Sequence, residues 1–178
     1  MNREKFKKYS LITLAVALFM TAFSVSARGI YQTDDAFLAE TFNEQTPRSQ
    51  VVWLKGDLRK TVANILGHNY AGLRIRYWHK DGRKAWILEE IGKERPITFG
   101  IITTEDKVEK VKVLAFRESR GGEIRYPAFT QQFADIKLSD NKLDRHIDGI
   151  SGATLSVRAM TAVVTLALYL DKFTSQSS

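Results

Sequence analysis

The chain has 178 residues, 44% of them hydrophobic and 26% charged, a composition typical of one folded domain with a hydrophobic core. It has no cysteine, which excludes disulfides, thiolate zinc sites, iron–sulfur clusters and Cys-x-x-Cys-His haem attachment, and its three histidines are too scattered to indicate a metal site. The formal net charge is +7, of which residues 1–27 hold +3. The remaining +4 is spread along the chain and does not indicate nucleic-acid binding.

Residues 1–27 show the three parts of a secretory signal. A basic start is followed by a mostly apolar run over residues 11–25, and small residues at Ser24, Ser26 and Ala27 form a cleavage site. We predict cleavage after Ala27. The alternative is an uncleaved anchor, although the run is shorter than the ~20 residues that a spanning helix prefers. Both place residues 28–178 in the periplasm or on the outer face of the cytoplasmic membrane.

Two helices and a strand are predicted at the start of the mature chain. A helix begins at Thr33, with acidic residues in its first turn, and Pro47 closes that segment. Residues 50–54 read as a strand. A second helix is capped by Asp57 and stops at Gly67.

Two antiparallel hairpins follow. Residues 73–79 alternate in polarity, and Asp81-Gly82 is a typical hairpin turn leading into a strand over residues 85–88. The second hairpin pairs residues 97–103 with residues 108–116 across a short polar turn. In its second strand, alternate positions are lysines.

Helices return at the end of the chain. Pro127 opens a short helix that holds Phe129 and Phe133, and a last helix covers about residues 155–173. This last helix is apolar around most of its circumference, which indicates burial within the fold. A membrane span is disfavoured by Arg158 near its start and by its length. We therefore predict one α+β domain over residues 28–178, with antiparallel hairpins packed against helices.

Residues 148–156, Asp-Gly-Ile-Ser-Gly-Ala-Thr-Leu-Ser, stand immediately before the last helix. Gly149 and Gly152 allow a tight loop, and Ser151, Thr154 and Ser156 supply hydroxyls. Because the first turn of a helix has free N–H groups and a partial positive charge, a phosphate could be bound there or esterified to a hydroxyl. From the residues alone, an ordinary helix cap is the favoured interpretation of this stretch.

The same stretch resembles the FMN-binding domain family, found in the C subunit of the sodium-translocating NADH–quinone reductase and the G subunit of the Rnf electron transport complex. That family carries an Asp-x-x-Ser/Thr-Gly-Ala-Thr motif, matched here by Asp148, Ser151, Gly152, Ala153 and Thr154. The resemblance covers residues 96–173. It includes the second hairpin, the Glu118-Ser119 step and the spacing of Phe129 and Phe133.

The resemblance implies FMN joined through its phosphate to the Thr154 hydroxyl by a flavin transferase that recognises Asp148. No catalytic residue and no metal ligand is implied. The implied cofactor-binding residues are Thr154 together with Ser151, Gly152, Ala153, Leu155, Ser156, Glu118 and Ser119. This chain departs from many relatives at Arg120-Gly121, where they have Pro-Gly, and at Val157, where they have Ser or Thr.

The expected function is that of an extracytoplasmic electron carrier with covalent FMN. Its partners would be the flavin transferase and a redox protein such as a cytochrome or a membrane reductase. A flavin-dependent extracytoplasmic reductase is one alternative, and a flavin-free binding domain is another. The tryptophans and Tyr126 could flank the flavin ring, but such residues more often belong to the core.

Overall fold

The computed structural model describes residues 29–176, which form one large antiparallel sheet with helices on both faces. The strands are β1 (Gly29–Ile30), β2 (Ser49–Trp53), β3 (Arg74–Lys80), β4 (Arg83–Ile91), β5 (Pro96–Thr104), β6 (Lys107–Phe116), β7 (Leu138–Ser139) and β8 (Lys142–Leu143). The helices are α1 (Asp34–Thr41), α2 (Gly56–Leu66), α3 (Pro127–Thr130) and α4 (Thr154–Gln176). The sheet has the order β1-β6-β5-β4-β3-β2, while β7 and β8 pair separately. The predicted α+β class is confirmed.

Both predicted hairpins are present, and each of their turns contains two residues with left-handed backbone. Asp81 and Gly82 have φ of 51° and 77° between β3 and β4, which suits the right-handed twist of the flanking strands. Glu105 and Asp106, with φ of 50° and 60°, make the corresponding turn between β5 and β6. The strands either side pair in antiparallel register.

The two faces of the sheet bury different sets of side chains. One face packs against α2 and α4 and contains the fully buried Trp86, Phe99 and Ile101. On the opposite face, Phe37 of α1 lies over Gly100 so closely that a Cβ at residue 100 would be 2.7 Å from its ring. The sheet therefore forms the middle layer of a core with helices above and below.

The last helix, α4, is part of that core. Its length and composition alone would allow it to cross a membrane, but 56% of its apolar window is buried inside the fold. Met160, Val163 and Val164 are fully buried. The predicted burial of this helix is confirmed, although Thr154 and Leu155 in its first turn are exposed.

A buried ion pair holds the other end of α4 to the sheet. Lys84 Nζ of β4 lies 2.8 Å from an Asp171 carboxylate oxygen, and both side chains are buried. The same ammonium donates to the Thr174 and Ser175 hydroxyls at 3.0 and 2.7 Å. Each N–H group of the Lys84 ammonium therefore has an acceptor. A buried charge needs such partners, because burying it unpaired is costly.

Two helix boundaries differ from the prediction. Asp57 does not cap α2: the helix begins at Gly56, and the Asp57 carboxylate accepts instead from Lys60 Nζ at 2.9 Å. Pro47 does not end α1, because Asn43 and Glu44 adopt φ of 51° and 62° first. Such left-handed residues cannot continue a helix.

The predicted export signal of residues 1–27 lies outside the described residues. Cleavage, anchoring and the compartment of the protein stay predictions.

Candidate functional site

The chain enters α4 through a tight turn, residues 148–153, which we call the entry loop. Gly152 has φ of +79°, and open space surrounds the position of a Cβ there. The Ala153 N–H donates to the Ile150 carbonyl at 3.0 Å, and the Ala153 side chain is buried. The left-handed glycine turns the backbone so that Thr154 becomes the first residue of the helix.

No side chain of the described residues caps this helix. The first backbone bond runs from the Val157 N–H to the Ala153 carbonyl at 3.0 Å. Within residues 29–176, the N–H groups of Thr154, Leu155 and Ser156 have no acceptor, and Ala153 offers no side-chain oxygen. The helix start therefore presents free donors and a partial positive charge, which suit an anion.

The three hydroxyls near the helix start differ in access. Ser151 and Thr154 are exposed, whereas Ser156 is buried. Gly121 packs directly against Ser156: a Cβ at residue 121 would lie 2.5 Å from the Ser156 Oγ and 3.4 Å from the Ala153 Cβ. The Ser156 hydroxyl is thus covered by the loop that follows β6.

A buried carboxylate fixes that loop. Glu118 is 4% exposed, and its Oε1 accepts the backbone N–H groups of Lys93, Glu94 and Arg95 at 2.5, 2.7 and 2.9 Å. Burial raises the pKa of the Glu118 carboxyl, but the three N–H bonds outweigh burial and hold that pKa below its usual value. Glu118 therefore ties the turn between β4 and β5 to the loop beside α4.

The entry loop, the Glu118 loop and the β4–β5 turn enclose a cleft of about 550 Å³, which we call the α4 cleft. It brings together most of the predicted cofactor-binding residues, while Ser151 and Asp148 are not among its lining residues. The lining residues are Lys93, Glu118, Ser119, Arg120, Gly152, Ala153, Thr154, Leu155 and Ser156. A cleft of this volume is of the size that binds cofactors.

Two cations of the α4 cleft, Lys93 and Arg120, were missed from the sequence. Arg120 directly follows the predicted Glu118-Ser119 step, so its neighbours were a usable signal. Lys93 is 25 residues from Glu118, and only the folded hairpin brings it to the cleft. No local sequence pattern indicates that Lys93 belongs to the site.

Asp148 lies at the start of the entry loop. Its backbone N–H donates to the Gln132 side-chain oxygen at 2.8 Å, and its carboxylate is exposed. In the described part of the chain this carboxylate has no hydrogen-bond or ion-pair partner. It is therefore free to contact another molecule.

The aromatic residues weighed as flavin neighbours lie elsewhere. Trp86 is fully buried and stacks on Tyr77 with ring centroids 4.9 Å apart, and Trp53 is exposed on β2 at the edge of the sheet. Tyr126 lines a separate groove of about 530 Å³ beside β6, where Arg125 lies between the Tyr31 and Tyr126 rings. The α4 cleft is lined by none of the three tryptophans and not by Tyr126.

Metal binding has no support in the described part of the chain, since residues 29–176 contain no cluster of three or more His, Asp or Glu side chains placed to hold a metal ion.

An α+β domain whose cation-lined cleft adjoins an uncapped helix start suits a ligand that carries a phosphate. Residues 92–169 match the family model of the FMN-binding domain, the family that the sequence resembles. The protein is therefore a flavin-binding protein, and FMN is its cofactor. Neither a curated protein nor a solved structure matched the chain.

Proposed function

We propose that the protein carries FMN covalently, through a phosphoester to Thr154 Oγ1, and relays electrons outside the cytoplasm. One observation carries the proposal: an exposed threonine hydroxyl begins an uncapped helix beside a cation-lined cleft, within an FMN-binding domain. The FMN phosphate fits this place, because the free N–H groups and the two cations all favour negative charge.

Access favours Thr154 among the three hydroxyls. Ser156 is covered by Gly121, and a transferase would have to displace that loop to reach it. Ser151 is exposed but does not line the α4 cleft. Only Thr154 combines exposure, a place in the cleft and the first position of the helix.

Attachment exchanges the Thr154 hydroxyl proton for a flavin phosphoryl group. An Oγ1–phosphorus bond forms, and the bond from phosphorus to its leaving group breaks. An alcohol does not displace hydroxide readily, so the donor must be an anhydride such as a flavin dinucleotide, whose departing phosphate takes the electron pair. A flavin transferase would supply this chemistry, and the free carboxylate of Asp148 suits its recognition.

An electron-carrying role fits the site better than a self-contained enzyme. Bound flavin supplies the ability to accept two electrons together and release them singly. In this chain the cleft residues bind and orient the cofactor, and the sequence has no Gly-x-Gly-x-x-Gly nicotinamide fingerprint after a strand. The redox partners proposed are a membrane reductase or cytochrome.

A covalent link also suits the proposed compartment. Outside the cytoplasm, a dissociated FMN would diffuse away from the protein, and an ester to Thr154 prevents this loss. The predicted signal of residues 1–27 is the basis for export.

Intact mass after co-expression with a flavin transferase tests the attachment. The wild-type chain should gain one FMN phosphoryl group and keep its fluorescence after denaturation. Thr154→Val, which removes the hydroxyl but nearly keeps the shape, should abolish the adduct, while Ser151→Ala and Ser156→Ala should retain it. An unshifted wild-type mass would refute covalent attachment.

A further experiment separates the carrier from the reductase. The purified flavinylated protein should exchange electrons with a partner haem protein, yet show no turnover of small-molecule acceptors on its own. Sustained turnover without a partner would favour the reductase.

A further inference from the structure

The two cations of the α4 cleft are largely uncommitted within the protein. The Arg120 guanidinium has no hydrogen bond or ion pair within residues 29–176, and it is exposed. Lys93 Nζ lies 3.4 Å from a Glu94 carboxylate oxygen, with 73% and 68% of the two side chains exposed. Such exposed pairs contribute little, so both cations remain available to a ligand.

The backbone of Lys93 is nevertheless held in place by Glu118, which lies two residues before Arg120. The Lys93 N–H donates to Glu118 Oε1 at 2.5 Å, and Arg120 follows Glu118 by two residues in the same loop. Glu118 is buried beneath them. Because the main chain of Lys93 is already fixed, Lys93 loses less conformational freedom when it binds an anion.

The charge of the cleft matches a phosphodiester. Lys93 and Arg120 contribute two positive charges and Glu118 one negative charge, which leaves the lining side chains at +1. The carboxylate oxygen Oε1 of Glu118 is already occupied by three backbone N–H groups. A phosphodiester carries one negative charge on two free oxygens, which an arginine can bind in parallel.

We infer that Lys93 and Arg120 bind the phosphoryl oxygens of the FMN carried on Thr154, with Glu118 holding the backbone of Lys93. The inference rests on the proposed attachment at Thr154. This contact makes the cofactor a stabilising element of the folded protein, since the ester bridges α4 to the Glu118 loop.

The test compares the thermal midpoint of each flavinylated protein with that of its flavin-free Thr154→Val counterpart. The backgrounds are wild type, Arg120→Gln, Lys93→Gln, the double variant and Lys172→Gln. The last is the matched control: it removes an exposed cation near the far end of α4, about 27 Å along the helix. The thermal midpoint of each pair is measured at low salt and at about 1 M NaCl, where the electrostatic screening length falls to about 3 Å.

The wild-type midpoint should rise on flavinylation, and the rise should shrink at high salt. Each single variant should lose part of the rise and the double variant most of it, while Lys172→Gln keeps it. The inference would be overturned if flavinylation raised the thermal midpoint equally in all backgrounds, or if it did not raise it in wild type. It would also be overturned if Lys172→Gln lost as much of the rise as the cleft variants. An unlabelled wild-type chain would refute the proposed function itself, which intact mass reports separately.

Discussion

Gly121 and Ser156 lie in direct contact, and a Cβ on residue 121 would come within 2.5 Å of the Ser156 Oγ. The backbone of Gly121 is also left-handed, with φ of +85°. This contact joins the loop after β6 to the first turn of α4. The close approach of this loop to α4 therefore depends on the absence of a side chain at residue 121.

Gly121→Ala should destabilise the protein more than Gly152→Ala. Both glycines have positive φ, of +85° and +79°, so each alanine incurs a backbone cost of about 1–2 kcal/mol. Only residue 121 adds an overpacking cost, about 1–3 kcal/mol, because the space around Gly152 is open. Urea unfolding measures both, and equal losses would contradict the contact.

The contact can also be tested by a double-variant cycle. Ser156→Ala removes the oxygen nearest the new Cβ, so Gly121→Ala should cost less free energy of unfolding in that background. Additive costs would show that the two residues do not interact.

Glu118→Ala should lower the free energy of unfolding by about 1–3 kcal/mol, because three backbone N–H groups lose their acceptor. Glu118→Gln should lose less, since an amide oxygen still accepts. Chemical denaturation of the two variants measures the difference. Equal losses would contradict a role for the N–H bonds.

The pH dependence of stability should also report on Glu118. The pKa of its carboxyl is lowered in the folded protein, so its stabilising contribution is complete above the unfolded pKa of about 4.3. That contribution is lost as the pH falls through the folded pKa. In Glu118→Gln this part of the acid destabilisation should disappear, and an unchanged profile would refute the assignment.

Breaking the Lys84–Asp171 pair should be among the most damaging single changes in the core. Lys84→Met leaves a buried carboxylate without its cation, at a cost of about 3–5 kcal/mol. Lys84→Met combined with Asp171→Leu removes both charges and should recover much of that loss. Thermal unfolding measures each variant, and a double variant no more stable than the single one would contradict the pairing.

His68 should titrate above the ordinary range for histidine. The hydrogen bond from its ring to the Glu90 carboxylate, 2.9 Å long, raises the His68 pKa above 6.5. The stabilisation is present below the unfolded pKa and is lost as the pH rises through the folded pKa. Proton NMR should show a lower His68 pKa in Glu90→Gln, whereas Glu89→Gln, which removes a carboxylate bonded to Thr98, should leave it unchanged.

Local chemistry made much of the fold predictable. Asp81-Gly82 fixes its hairpin through two residues that accept positive φ, and the apolar circumference of α4 predicts its burial. The end of α1 was not predictable in this way. It depends on left-handed Asn43 and Glu44, and neither residue requires that conformation by its chemistry alone.

The candidate site also has a part that the sequence predicts and a part that depends on the folded sheet. The residues of the entry loop are contiguous, so the sequence shows them together. The family resemblance points to Glu118, but its bonds to the turn after β4 depend on the hairpin register, as does the position of Lys93 in the cleft. Contacts between residues 25 apart follow from the completed sheet, which no short pattern encodes.

The position of Thr154 at the start of α4 sets an order of events. The later turns of this helix fill the core, so the entry loop acquires its shape only after the roughly 20 residues that follow Thr154 have been synthesised and docked. A nascent or truncated chain cannot display the loop in this form. On the proposed attachment, flavin loading would mark molecules that have completed folding, and the yellow fraction of a preparation would measure how much of it is native.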